Sequence, residues 1–227
     1  MIYTFPPAPS AAVPIEGSEA LFPVRRIWCV GRNYAEHALE MGGDPDREPP
    51  FFFGKPADAI VPTGGELPYP LATQDLHHEV ELAVGLRSGG SGLSVEQAGA
   101  AVFGCAVALD MTRRDLQSEA KRLARPWDMG KAFDRSCPIG AFRPCPGAPP
   151  TKGAIRLTIN GEVRQSGDLH ALIWPIADTL AALSQLVELA AGDVILTGTP
   201  AGVGPVRRGD QLRAECDAAP ALEVRYA

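Results

Sequence analysis

Short apolar runs separated by turn residues dominate the chain, and the period of each run predicts an element. Residues 24–30 (Val-Arg-Arg-Ile-Trp-Cys-Val) read as a strand closed by Gly31. Residues 78–85 alternate polar and apolar positions at their start, which is the strand period, and 102–110 read as a buried strand. Two runs at 155–160 and 162–165 flank Asn160-Gly161, a strong hairpin signal. Further strands are expected at 194–197, 211–216 and 222–226. Helical spacing is confined to four places. Residues 33–41 give a turn or two, and Ser94-Val95-Glu96-Gln97 is a capping box opening a short helix. Residues 112–122 are amphipathic, and 175–189 form another helix with Pro175 suited to its first turn. Residues 1–22 are expected to be a poorly structured or strand-like arm, and 23–227 a single domain. Residues 42–50 (Gly-Gly-Asp-Pro-Asp-Arg-Glu-Pro-Pro) have the look of a mobile surface loop.

Composition sharpens this outline. Gly (24) and Pro (22) make up about a fifth of the 227 residues, above the usual share, so a strand-rich fold is favoured over a helical bundle. The length suits one sizeable domain, and 45% hydrophobic with 21% charged residues excludes a disordered chain. A net charge of −6, with no basic stripe, speaks against nucleic acid as a partner. Five cysteines without C-x-x-C spacing give neither a disulfide framework nor a zinc knuckle. The longest apolar run, 99–109, is too short to span a bilayer, and the first twenty residues lack a secretory pattern. A cytoplasmic, reduced protein without a membrane partner is therefore expected.

The chemistry concentrates in a few polar residues within this apolar frame. On a strand, Glu79 and Glu81 share a face, and such paired carboxylates repel unless a cation lies between them; hard oxygen ligands suit Mg2+ or Mn2+. An exposed acidic face is the bland reading. Asp110 ends an apolar strand, where a buried carboxylate is costly. It is either a third ligand or the N-cap of the helix that follows. His77 would join this face if the strand began early. His37 and Glu40, three apart on a short helix, can pair so that the carboxylate makes the imidazole a better base for water; surface hydrogen bonds of this kind are also common. Lys131 is a cation among apolar and small residues, or simply a lysine reaching solvent. Thr197-Gly198-Thr199-Pro200 follows a strand, where a hydroxyl and backbone N–H groups could meet a ligand carboxylate, or form only a tight turn.

Taken in order, these residues resemble the fumarylacetoacetate hydrolase family, in its branch of short acylpyruvate hydrolases. The resemblance rests on Cys29-Val30-Gly31-Arg32-Asn33-Tyr34, His37-x-x-Glu40, Lys55-Pro56 and His78-Glu79-x-Glu81-Leu82. It continues through Leu109-Asp110-Met111-Thr112-x-Arg114-Asp115-x-Gln117, Lys131-x-Phe133 and Gly192-Asp193-x-Ile195-x-Thr197-Gly198-Thr199-Pro200-x-Gly202-Val203-Gly204. It covers nearly everything but the N-terminal arm. The wording of residues 22–27 and 44–53 further resembles the bacterial fumarylpyruvate hydrolases of gentisate catabolism. Gly54 stands where relatives often carry a larger residue.

The resemblance implies an α+β, strand-rich fold, a mixed β-sandwich roll with a few peripheral helices, assembled as a homodimer. It places metal ligands at Glu79, Glu81 and Asp110, a water-activating pair at His37 and Glu40, the active-site lysine at Lys131, and substrate contacts at Gln117 and Thr199. Arg32 is a candidate partner for a substrate carboxylate that the resemblance does not settle. The expected reaction is Mg2+- or Mn2+-dependent hydrolysis of the C3–C4 bond of a 2,4-dioxo acid, above all fumarylpyruvate. Decarboxylation of oxaloacetate, or isomerisation and decarboxylation of hydroxymuconate-type diacids, uses the same metal site and is the alternative. A non-catalytic metal-dependent binding protein is disfavoured because every family residue type is present.

Overall fold

The computed structural model describes residues 2–36, 49–62 and 65–227. Along the chain, β1 (Ala12–Pro14) and β2 (Leu21–Pro23) form a hairpin ahead of β3 (Arg26–Gly31), β4 (Phe51–Lys55), β5 (Ile60–Pro62) and β6 (Glu66–Leu67). Next come β7 (Leu76–His78), β8 (Val80–Leu86), helix α1 (Val95–Ala100), β9 (Val102–Leu109) and β10 (Thr112–Arg113). Helices α2 (Arg114–Arg122) and α3 (Asp128–Lys131) lead to β11 (Cys137–Ile139), β12 (Arg143–Pro144), β13 (Ala154–Ile159) and β14 (Glu162–Asp168). Helix α4 (Ile176–Ser184) precedes β15 (Asp193–Leu196), β16 (Gly204–Pro205), β17 (Gln211–Cys216) and β18 (Ala219–Tyr226).

The largest sheet runs β4-β3-β15-β8-β9-β11-β5, with β12 also on β9. It is mixed: β15 lies parallel to β3 and β11 parallel to β5, while its other pairs are antiparallel. A five-stranded sheet, β14-β13-β17-β18-β6, stacks on it, and β10-β7-β16 form a small third sheet. This is the strand-rich α+β roll the sequence implied. Among the described residues no helix is long and apolar enough to cross a membrane.

Both faces of the large sheet are covered, and the alternation of side chains decides what each face carries. Leu82, Val84, Val107 and Leu109 face the five-stranded sheet and pack with Leu157, Leu212, Leu222 and Val224. The opposite face carries Ala83, Ala106 and Ala108 beside Ile27, Cys29, Val194, Leu196 and Phe142. The β1–β2 hairpin closes part of this second face: Val13 and Phe22 are buried there, with the Phe22 and Phe142 rings 4.6 Å apart. So residues 12–14 and 21–23, within and just beyond the expected arm, are strands packed on the sheet.

Several boundaries differ from the sequence reading. Residues 78–85 are not one strand: β7 pairs with β10 and β16, whereas β8 belongs to the large sheet, and Glu79 lies at the break. The helix expected at 112–122 starts two residues later, because Thr112 and Arg113 pair across to His77 and Leu76. Helix α4 stops at Ser184, whose carbonyl accepts from Gly92 N–H and whose hydroxyl accepts from Leu93 N–H. The loop expected at 42–50 falls, apart from its last two residues, outside the described residues.

Asn33 ties together the two loops that leave the parallel pair β3 and β15. Its buried amide donates to the Thr197 carbonyl (2.8 Å) and the Trp174 carbonyl (3.0 Å), and accepts from Trp174 N–H (2.7 Å). The chain at Gly198 then turns with φ +99°, and a Cβ there would lie 2.6 Å from Asn33 Cβ. Glycine is required at that position by conformation and by space. Gly198→Ala is expected to cost about 2–4 kcal/mol and lower the melting temperature by about 5–15 °C. A variant that melts with the wild type would show that this turn carries no such constraint.

Candidate active site

The register of β8 on β9 brings the acidic residues together. Glu81 lies opposite Ala108 and Val80 opposite Leu109, so Glu81 shares the face of Ala83, Ala106 and Ala108. One residue past the ladder, Asp110 N–H donates to the Glu79 carbonyl (2.8 Å), which sets the third carboxylate beside the other two. The carboxylates of Glu79, Glu81 and Asp110 each offer an oxygen within 4.8 Å of the others, and all three residues are buried. The small alanines beneath leave them room. His77 does not join them: it sits in the other sheet, with its Nε2 2.8 Å from Asp75.

Buried cations answer part of this charge. Lys131 Nζ donates to Glu79 Oε2 (2.8 Å) and Asp110 Oδ2 (2.6 Å). Lys55 Nζ lies 2.8 Å from Asp110 Oδ1 and donates to the carbonyls of Met111 (3.2 Å) and Lys131. Arg114 pairs with Glu79 Oε1 and donates to Gln117 Oε1 (2.6 Å). Burial works against the Lys131 charge, but Asp110 and Glu79 outweigh it and hold its pKa above the usual lysine value. Glu81 differs: it accepts from Gly198 N–H (2.6 Å), and no ion pair reaches it among the described residues. Burial first, then Asp110 and Glu79, push its carboxyl well above the usual range. Three hard oxygen donors, one without a cationic partner among the described residues, fit a divalent cation of the Mg2+ or Mn2+ kind.

The cluster forms the floor of a cleft whose walls come from β3, β4, α2 and α3. Lys131, Gln117, Thr199 and Arg32 all line it. With Gln117 Oε1 engaged by Arg114, the Gln117 amide N–H groups remain to donate. Of the Thr197–Pro200 turn, only Thr199 is left for a ligand. The Thr197 hydroxyl donates to the Leu82 carbonyl (3.0 Å), and Gly198 N–H is held by Glu81. Asp110 does not cap the helix after it, whose N-cap is Arg113; the lysines explain its burial instead. His37 and Glu40 lie outside the described residues.

The sequence reading missed several cleft residues. Lys55 and Arg114 were present only as motif letters. Arg114 and Gln117, three apart, carried a readable helical spacing. The Phe51, Phe53 and Trp127 wall had no local signal: Trp127 lies 5.6 Å from Phe51 and 5.9 Å from Phe53, brought there from between α2 and α3. Lys121 stands over the Trp127 ring at 4.9 Å. Burial, followed by repulsion from Arg114 and Arg32, lowers its pKa to about 8.

The family described as fumarylacetoacetate (FAA) hydrolase, C-terminal, matches residues 26–226. A crystal structure of fumarylpyruvate hydrolase from Pseudomonas aeruginosa in complex with Mn2+ and pyruvate superimposes with a TM-score of 0.97. It is 49% identical, with 100% of this chain and 99% of that one covered. Oxaloacetate tautomerases are similar as well. The mitochondrial protein of Homo sapiens is 42% identical over 202 residues, covering 85% of this chain and 90% of its own. That of Escherichia coli (strain K12) is 40% identical over 204 residues, covering 89% and 93%. With the match spanning nearly every residue from β3 to β18, the chain belongs to the fumarylacetoacetate hydrolase family.

Proposed function

We propose that the chain is an acylpyruvate hydrolase whose substrate is fumarylpyruvate, cleaved with water to fumarate and pyruvate. The observation that carries this reading is the similarity, over the whole chain, to a fumarylpyruvate hydrolase holding Mn2+ and pyruvate, the latter a product of the proposed reaction. Glu79, Glu81 and Asp110 would hold the cation, Mg2+ or Mn2+. When bound, it supplies Lewis-acid stabilisation of the negative charge that develops during cleavage. The homodimer implied by the resemblance belongs to the same proposal.

The chain's own groups divide the remaining work. Gln117 and Thr199 offer hydrogen bonds to substrate oxygens, and the Lys131 ammonium, pinned between Glu79 and Asp110, places fixed positive charge beside them. His37, supported by Glu40, takes a proton from the water that attacks the C4 carbonyl. The C3–C4 bond breaks, its electron pair stays with the pyruvate fragment, and a proton completes pyruvate. Arg32 and Lys121 face the far end of the cleft, where fumarylpyruvate carries a second carboxylate that acetylpyruvate lacks.

A second reading, oxaloacetate tautomerase, is favoured by the curated relatives at 40–42% identity. That reaction moves a proton and needs no attacking water. Steady-state kinetics on fumarylpyruvate, acetylpyruvate and oxaloacetate, with Mg2+ or Mn2+, separate the two. Hydrolysis of fumarylpyruvate is expected to dominate; turnover of oxaloacetate alone would establish the second reading.

Removing divalent cations with a chelator is expected to abolish turnover, and restoring Mn2+ to recover it. Glu81→Gln is expected to weaken calorimetric Mn2+ affinity by at least about tenfold while the protein still melts cooperatively; unchanged affinity would remove Glu81 from the ligand set. Lys121→Met is expected to lower kcat/KM for fumarylpyruvate about tenfold more than for acetylpyruvate, the size of a charge-assisted contact. An unchanged ratio between the two substrates would show that Lys121 does not read the second carboxylate.

A further inference from the structure

Gln165 is a polar side chain on the buried side of the five-stranded sheet, opposite Leu157, and it is 1% exposed. Between Leu157 and Thr158 the register slips, so Arg164 is an extra residue and the strand is locally bulged beside Gln165. A buried amide is costly unless it is fully hydrogen-bonded, and this one is. Its Oε1 lies 2.9 Å from His78 Nδ1 and accepts from Val80 N–H (3.0 Å). Its Nε2 donates to the Pro200 carbonyl (2.8 Å) and to Thr199 Oγ1 (2.8 Å).

Two of these partners leave no freedom in the amide. The Val80 N–H can only donate and the Pro200 carbonyl can only accept, so Oε1 and Nε2 cannot be exchanged. His78 must then donate from Nδ1. Thr199 Oγ1 must accept from Gln165, and its own proton has to be given elsewhere. Thr199 lines the cleft, and no acceptor for that proton is found among the described residues.

The loop that carries Thr199 packs closely on β14. A Cβ at Gly167 would lie 2.7 Å from Pro200 Cβ, and one at Gly202 would lie 2.4 Å from the Arg164 carbonyl oxygen. Glycine at both positions lets the loop and the strand sit in direct contact.

We infer that Gln165 is a positioning residue: by donating to Thr199 Oγ1 it makes the Thr199 hydroxyl an obligate donor into the cleft, selecting a ligand with a carboxylate or enolate oxygen at that point. This rests on the reading of the cleft as the acylpyruvate site. Gln165 does not touch the ligand. It determines in which direction the hydroxyl that does can act.

A double-mutant cycle read by calorimetry of oxalate binding, with Mn2+ present throughout, tests this. Thr199→Val removes the donor and is expected to weaken oxalate binding about tenfold, whereas Thr199→Ser keeps it. Gln165→Glu, near in shape, presents an acceptor where the amide N–H was, so the Thr199 hydroxyl turns to donate to it. It too is expected to weaken oxalate about tenfold. Combined with Thr199→Val it should add little, leaving the double variant about tenfold weaker than wild type. A double variant about a hundredfold weaker, or Gln165→Glu binding like wild type, overturns the inference. Gln165→Met, which cannot donate, is held to the same coupling criterion if Gln165→Glu fails to melt cooperatively. Wild type that binds no oxalate with Mn2+ present defeats the reading of the cleft itself, and this inference with it.

Discussion

Everything at the centre of this protein answers to the cost of holding three carboxylates together away from water. Glu79, Glu81 and Asp110 are set side by side by one strand pair, and three cations from distant parts of the chain are drawn to them. Lys55 comes from β4, Arg114 from α2 and Lys131 from α3. Each element that lends a cation is thereby tied to the ends of the two central strands that carry the carboxylates. The Lys131 carbonyl takes part too: it accepts from Lys55, and both ammonium groups meet at the Asp110 carboxylate. The cluster therefore does structural work, organising the cleft from opposite sides. Removal of one partner from such a set leaves an uncompensated buried charge, the costly kind of deletion.

Lys55, Arg114 and Lys131 answer Glu79 and Asp110, while Glu81, its carboxyl held well above the usual range, resists ionising without a further cation. A divalent ion arriving among them adds positive charge that a ligand with two carboxylates offsets. Cation and dianion should therefore favour each other in this cleft, a coupling that follows from charge alone. Burial first, then repulsion from Arg114 and Arg32, lowers the pKa of Lys121, and an anion beside it would relieve that repulsion.

Much of this was readable from the chain. Strand period placed Glu79 and Glu81 on one face, although a change of sheet, not a continuous strand, lies next to Glu79. The Asn160-Gly161 hairpin and the capping box at Ser94 appear where local chemistry demanded them, the Ser94 hydroxyl accepting from Gln97 N–H. What escaped was long-range. Thr112 looked helical because its pairing with His77 is fixed by tertiary context. Gln165 sat in an alternating strand and gave no sign of its four partners, which lie on β7, at the start of β8 and, two of them, after β15. Trp127 follows a proline in a polar stretch, and only the packing of α3 against β4 turns it into a wall of the cleft. Residue type and spacing revealed the ligands; the supports around them depend on where separate segments meet.

The alanines under the carboxylates lead to one more conclusion. Ala83, Ala106 and Ala108 are enclosed on a sheet covered on both faces, so a larger side chain there would have to displace Ile27, Cys29 or Leu196. The floor of the cleft is confined on every side. Its far wall, by contrast, is made by Lys121 from α2, by Trp127 from the turn between α2 and α3, and by Arg32 from a loop, outside the two-sided packing of the sheet. Inheritance can thus rework which acyl group is accepted while leaving the carboxylate floor intact, and relatives of differing activity are what such a division of freedom would produce.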